Sequence, residues 1–143
     1  MRIAVLSEKD IDDIIELYNT DFADGWNKDM LSSSFNNGRF CCFGAYDGHR
    51  LIGVITLTIG LDDADIEGVV TKSDYRRKGV AGELLKKALE HIESFGIKKV
   101  ILEVRASNVP AINLYYGQGF YKISVRKKYY SNGEDALILI KEI

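Results

Sequence analysis

Residues 76 to 82 read Arg76-Arg77-Lys78-Gly79-Val80-Ala81-Gly82, between an apolar strand pattern and an amphipathic helix pattern. Small residues at a helix start let backbone N–H groups approach an anion closely. The helix N-terminus adds about half a positive charge at that point. With three basic side chains alongside, the segment is suited to holding a phosphate compound. The spacing is not G-x-x-x-x-G-K-[ST], which argues against a Walker loop, nor G-x-G-x-x-G, which argues against a dinucleotide fold. A second run of chemistry-bearing residues follows: Glu103 within Leu102-Glu103-Val104-Arg105, then Asn108, Ala111, Leu114-Tyr115 and Gly119-Phe120.

The hexapeptide Arg76 to Ala81 has the form R-x-x-G-x-A, and it resembles the pyrophosphate loop of the GNAT N-acetyltransferases. The run from Leu102 to Phe120 is more specific. With Arg126, Tyr129-Tyr130 and Glu134-Asp135-Ala136 it is similar to the bacterial ribosomal-protein-alanine N-acetyltransferases, the RimI group. The likeness extends from about Val69 to the C-terminus and is looser before that, apart from a segment around Trp26. One departure is Lys72-Ser73, where the family often carries an acid and a proline.

This resemblance implies an enzyme that uses acetyl-CoA as co-substrate. Val69, Val70 and Thr71 would bind pantetheine as an added strand, and their backbone would polarise the thioester carbonyl in the manner of an oxyanion hole. Arg76, Arg77, Lys78, Gly79, Val80, Ala81 and Gly82 would hold the pyrophosphate, with Asn108 and Tyr115 also near the cofactor. Glu103 matches the family's proposed base, acting through water, and Tyr115 its general acid. Tyr129 and Tyr130 match a tyrosine pair near the peptide groove. Glu134 and Asp135, like Asp62, Asp63 and Asp65, could attract a basic peptide. Trp26 is placed for packing or for substrate contact.

The residues themselves leave alternatives. Glu103 shares a strand face with Ile101 and Arg105, opposite Val100, Leu102 and Val104. A carboxylate in an apolar strand is costly unless hydrated or paired, so an ion pair with Arg105 or another cation is the structural alternative. Glu67, on the preceding strand, is a rival base. Tyr116 points about 100° round the helix from Tyr115 and reads as a surface or packing tyrosine. Asn108 can serve equally as a helix cap. A hydrated glutamate suits an α-amino group, with a pKa of about 8, better than a lysine at about 10.4. The expected acceptor is therefore a protein N-terminus, by resemblance the N-terminal alanine of a small-subunit ribosomal protein. A lysine or small amine is the alternative acceptor, and a non-catalytic acyl-CoA-binding module would need neither Glu103 nor Tyr115.

Those residues need elements to position them. A short strand over 2–6 is followed by a helix start at Ser7, with Asp10 three residues on as in a capping box. Ile11, Ile14, Ile15 and Tyr18 mark one helical face. A second helix runs from Lys28 to Phe35. Strands over Phe40–Tyr46 and Leu51–Ile59 flank an Asp47-Gly48 turn, and Ile66–Thr71 is a strand leading into the basic loop. The helix from Val80 to about Phe95 has the clearest apolar stripe, with Gly96 as its stop. Lys99–Val104 is a strand, Ser107 or Asn108 caps the next helix with Pro110 in its first turn, and Tyr121–Arg126 with Ala136–Ile140 form a closing pair. The order βααβββαβαββ indicates an α/β chain. The resemblance adds the arrangement: the GNAT acyl-CoA N-acyltransferase fold, a central twisted, mostly antiparallel sheet with helices on both faces.

The 143 residues suffice for one domain, 1–143, with a sizeable core. A net charge of −2 gives no electrostatic case for nucleic-acid binding. The start Met1-Arg2-Ile3-Ala4-Val5-Leu6 meets Ser7-Glu8-Lys9-Asp10 too soon for a signal peptide, and no window has the length of a membrane span. A cytoplasmic monomer or weak dimer is expected. Adjacent Cys41 and Cys42 point to opposite faces of a strand and cannot readily pair. They read as reduced thiols, with His49 and His91 solvated, and no metal-ligand spacing occurs.

Overall fold

The computed structural model describes residues 1–21 and 27–143. The elements follow the expected order: β1 (Arg2–Val5), α1 (Ile11–Asp21), α2 (Lys28–Phe35), β2 (Phe40–Asp47), β3 (Arg50–Ile59), β4 (Asp63–Thr71), α3 (Val80–Ser94), β5 (Lys99–Arg105), α4 (Val109–Gly117), β6 (Tyr121–Arg126) and β7 (Ala136–Glu142). Trp26 lies outside the described residues. Ser7 N–H donates to Asp10 Oδ2 at 2.9 Å, but the turn this caps is a single 3₁₀ turn, Glu8–Asp10, that leads into α1. Asn27 caps α2, its Oδ1 accepting from Met30 N–H at 2.8 Å. The hairpin strands run one residue further than the Asp47-Gly48 signal implied, so Asp47 pairs with Arg50 and the turn is Gly48-His49.

The seven strands form one sheet in the order β1-β2-β3-β4-β5-β7-β6. Every neighbouring pair is antiparallel except β4 and β5. Two apolar layers cover the sheet. On one face Leu84, Leu85, Ala88 and Ile92 of α3 and Ile112 and Tyr115 of α4 pack on Phe43, Ile55, Leu57, Val100, Leu102 and Leu139. On the other face Ile11, Ile14, Leu17 and Tyr18 of α1 and Leu31 of α2 pack on Cys42, Val54 and Val70. The period-2 alternation of β3 explains the division, since Val54 and Ile55 face opposite layers. Gly53 lets α3 lie close to β3, because a Cβ there would meet Val80 Cγ1 at 2.8 Å and Leu84 Cδ1 at 3.0 Å.

The feature that makes a site is a split in the sheet. β4 and β5 pair only from Asp63↔Lys99 to Ile66↔Leu102. Just past Ile66, Glu67 is an extra residue against β3, with Thr56 opposite Gly68 and Leu57 opposite Ile66. A bulge bends the strand that carries it. β4 thereafter stays with β3 through Thr71, while β5 stays with β7 through Arg105.

The two cysteines do face opposite layers, Cys41 packing with the α3 side and Cys42 buried on the α1 side, both as free thiols. His91 corrects an expectation. It is half-buried, its Nε2 is 3.1 Å from Cys41 Sγ, and its ring meets Phe43 and Phe95 edge-on. The two aromatic neighbours and the sulfur give the imidazole partners that the helical polarity pattern does not reveal. No described helix is long and apolar enough to cross a membrane.

Candidate active site

A cavity of about 810 Å³ occupies the split. One wall is β4 from Glu67 to Thr71, and the other is β5 from Glu103 to Arg105. The wall on β4 has a strand edge no longer paired with β5, so backbone donors and acceptors are available there. Arg76, Arg77 and Gly79 to Gly82 close one end, while Asn108, Pro110, Ala111, Leu114 and Tyr115 of the α4 region line the side.

The loop that leads into α3 is shaped by two left-handed residues, Arg77 at φ 63° and Gly79 at φ 81°. Glycine adopts such a conformation freely, whereas arginine bears a strain cost. The first intrahelical bond runs from Glu83 N–H to Gly79 C=O at 3.0 Å. The N–H groups of the preceding turn therefore lack carbonyl partners within the helix and are free for an anion. Arg76 Nε reaches Thr71 C=O at 3.4 Å, tying the loop to the end of β4. Lys78 departs from its expected neighbours. It is absent from the cavity wall, and its Nζ lies 5.4 Å from the Tyr75 ring centre. Tyr75 is a wall residue that sequence reasoning missed. Its hydroxyl donates to Asp47 Oδ2 at 2.5 Å, joining the β2–β3 turn to the loop.

Glu103 lines the cavity from the β5 side. The carboxylate has the kind of partner that the ion-pair alternative expects, a cation other than Arg105 at the end of β6. Arg126 Nε is 3.5 Å from Glu103 Oε1, and the Tyr129 hydroxyl lies beside the same carboxylate. Hydrogen bonding toward that carboxylate, with its negative charge, raises the Tyr129 pKa above the ordinary phenol value. About 30% of the Glu103 side chain remains exposed, so water reaches it. Glu67 also lines the cavity, but its Oε1 accepts from Thr58 Oγ1 at 2.7 Å. Although Glu67 is largely exposed as a residue, its carboxylate is crowded enough that desolvation raises its pKa. Asp65 is raised too, by desolvation first and then by Asp63 and Glu103.

Tyr115 stands on α4 with its ring edge-on to Phe120, 5.7 Å between centres, and is 6% exposed. Burial pushes its pKa up to about 12. Asn108 caps α4, its Oδ1 accepting from Ala111 N–H at 3.3 Å, and it lines the cavity as well. Tyr116 is exposed, on the far side of the helix.

The acceptor candidates divide. Tyr130 lines the cavity near Glu103, and Tyr129 meets it edge-on at 5.1 Å. Glu134 is held by Arg105 Nη1 at 2.9 Å and by Ser107 N–H at 3.0 Å, and these contacts lower its pKa. Asp135 accepts from Lys128 N–H at 2.9 Å, with Lys127 Nζ at 3.5 Å. Neither acid lines the cavity. Their proximity in sequence to the tyrosines suggested a shared role that their hydrogen bonds do not share.

An acyl-CoA fits this arrangement. The Thr71 hydroxyl is buried without a partner among the described residues, the β4 edge is open, and a turn of N–H groups without helical carbonyl partners adjoins basic side chains. The acetyltransferase (GNAT) family model matches residues 11–120. The chain is 34% identical over 92% of its length, and 88% of the relative's, to a protein of Bacillus subtilis (strain 168) provisionally named a ribosomal protein bS18-alanine N-acetyltransferase. It is 31% identical to the ribosomal protein bS18-alanine N-acetyltransferase of Escherichia coli (strain K12), covering 80% of this chain and 78% of that one. The crystal structure of the ribosomal-protein-S18-alanine N-acetyltransferase from Escherichia coli superposes with a TM-score of 0.92 at 28% identity, over 99% of this chain and 93% of the other. With its split sheet and these relatives, the chain belongs to the GNAT family and is a RimI-like, acetyl-CoA-dependent N-acetyltransferase.

Proposed function

We propose that this enzyme acetylates the α-amino group of a protein N-terminus, and that its acceptor is the N-terminal alanine of a small-subunit ribosomal protein. The observation that carries the reading is the placement of Glu103. This water-accessible carboxylate stands at the cavity wall across the split from the β4 edge, with buried Tyr115 on the adjoining helix. The 34% and 31% identical relatives bear the same acceptor in their names, which supports the choice of alanine.

In this mechanism Arg76, Arg77 and the N–H groups of Gly79 to Gly82 hold the pyrophosphate, with Lys78 adding charge. Val69, Val70 and Thr71 bind pantetheine along their free edge, and backbone N–H there donates to the thioester oxygen as charge develops. Glu103, through water, takes the proton from the incoming ammonium. At pH 7.5 freeing an α-amino group costs under about 1 kcal/mol, against roughly 4 kcal/mol for a lysine. The amine then attacks directly in a ternary complex. As the carbon–sulfur bond breaks, CoA leaves as the thiolate with a hydrogen bond from Tyr115, and the new amide nitrogen gives its remaining excess proton to water. Tyr129 and Tyr130 border the acceptor. We take residues 1–143 as a single domain acting in the cytoplasm as a monomer or weak dimer.

Mass spectrometry of two peptides incubated with enzyme and acetyl-CoA tests the reading. One carries a free N-terminal alanine and no lysine, and the other a blocked N-terminus and an internal lysine. Acetylation of the first alone is expected. Acetylation of the second alone overturns the acceptor and leaves the cofactor chemistry intact.

A further inference from the structure

The segment between β6 and β7 is fastened to the site by a network that the reaction itself does not require. Arg105 Nη1 pairs with Glu134 Oε1 at 2.9 Å, and the partners' side chains are only 22% and 19% exposed. Glu134 Oε2 also accepts from Ser107 N–H at 3.0 Å, in the turn that leads to Asn108 and α4. Arg105 Nη1 lies 3.3 Å from Asn132 Oδ1, and that oxygen accepts from Glu134 N–H at 3.0 Å. The loop closes on itself through Tyr130 N–H to Glu134 C=O at 3.1 Å and Gly133 N–H to Tyr130 C=O at 2.9 Å. Above the ion pair, the Arg105 guanidinium carbon sits 3.9 Å from the centre of the Tyr130 ring. A planar guanidinium can stack on an aromatic face and bond a carboxylate at its rim simultaneously, which an ammonium cannot do.

We propose that Arg105 and Glu134 are positioning residues for the acceptor: their ion pair, anchored on Ser107, fixes the Tyr130 ring at the wall of the cavity that receives the acceptor peptide. The inference rests on the N-terminal acetylation reading for its substrate, and on geometry alone for the loop. Three features favour positioning over direct contact by Glu134. Both of its oxygens are already engaged, it lies off the cavity wall, and Tyr130 lies on it. The network joins a loop to the rigid β5 strand, so it sets Tyr130 before an acceptor arrives, which lowers the ordering cost of binding.

The test compares wild type with Glu134→Gln, Arg105→Lys and Glu134→Asp by two measurements. Hydrogen exchange of amides 128–134 reads the loop without any acceptor. In Glu134→Gln those amides exchange about tenfold faster while α3 is unchanged. Steady-state kinetics with the alanine peptide then show an acceptor KM raised about tenfold, with kcat changed less and the acetyl-CoA dissociation constant within about twofold. Arg105→Lys keeps the charge and loses the flat face, so it raises KM as well, and Glu134→Asp recovers part of the loss. Unaltered loop exchange in Glu134→Gln overturns the proposal, as does a loss confined to acetyl-CoA affinity. If wild type acetylates no peptide N-terminus, the acceptor assignment fails, and the exchange measurement still decides whether the pair holds the loop.

Discussion

Arg126 Nε stands 3.5 Å from Glu103 Oε1. The Tyr129 hydroxyl is close enough to the same carboxylate for it to raise the phenol's pKa, so the candidate base sits against the end of β6 and the segment that follows. The raised Tyr129 pKa reports that contact, because a phenolate beside a carboxylate loses the bond and gains repulsion. Glu103→Gln removes the charge, and the Tyr129 pKa then falls toward the ordinary phenol value in an NMR titration of ring-labelled protein. An unchanged titration would separate the two residues. In the same variant the rate falls most at low pH, where free amine is scarcest and a base matters most. A uniform drop across pH would make Glu103 a positioning group.

A Tyr115 pKa of about 12 restricts what that residue can do. An ordinary thiol has a pKa of about 8.5, so handing a proton from this phenol to a fully formed thiolate is uphill by roughly 5 kcal/mol. In the proposed mechanism Tyr115 therefore stabilises the leaving sulfur by donating a hydrogen bond and keeps its proton. Tyr115→Phe lowers kcat by about 10² while leaving acetyl-CoA affinity nearly intact. The wild-type rate shows no alkaline fall from Tyr115 between pH 8 and 10. Stability follows the same shift. The folded pKa is raised, so the contribution is complete below the unfolded value near 10 and is lost as pH rises toward 12, by roughly 2 to 3 kcal/mol. Denaturant titrations of Tyr115→Phe should lack that alkaline decline.

The basic loop separates stability from binding. Arg77 is left-handed at φ 63°. Arg77→Gly relieves strain of about 1 kcal/mol and raises thermal stability, yet weakens acetyl-CoA through loss of the guanidinium. Gly79→Ala, at φ 81°, does the reverse to the backbone, costing about 1 kcal/mol and disturbing the N–H groups at the start of α3. Calorimetric titration with CoA beside melting curves checks both. Parallel movement of stability and affinity in Arg77→Gly would contradict the assignment of strain.

The element order was readable because α3 and β5 carry strong periodicity and α3 and α4 clear end signals, with Asn108 and Gly96 where those caps require. The cavity was readable in part. Alternation placed Glu103 and Arg105 on one face of β5 but could not say which partner each would take. Residues two apart on a strand stand side by side about 7 Å apart, and both reached outward, Glu103 to Arg126 and Tyr129, Arg105 to Glu134 and Tyr130. Those partners come from strand order and loop geometry, which a local pattern does not contain. The extra residue at Glu67 that coincides with the split is equally silent, since a bulge is defined against a neighbouring strand. His91 shows the same limit in α3, where its polarity suggested solvent and its partner Cys41 lies 50 residues away.

Lys141 offers a final test of how Tyr115 is held. Its Nζ donates to Gln118 C=O at 2.7 Å, at the C-terminal end of α4. An ammonium there satisfies a carbonyl left open by the helix end and complements the negative pole of the dipole. Lys141→Met keeps the stem and loses the charge, and should cost about 1 kcal/mol, a fall of roughly 3 °C in Tm for a domain of this size. Because Phe120 N–H bonds Tyr115 C=O at 3.0 Å in the same turn, the change reaches the tyrosine through its backbone. A modest drop in kcat is expected, about twofold to threefold, with acceptor KM unaltered. Lys141→Arg should restore both Tm and kcat. Restoration of Tm alone would place Lys141 in stability and remove it from the alignment of Tyr115.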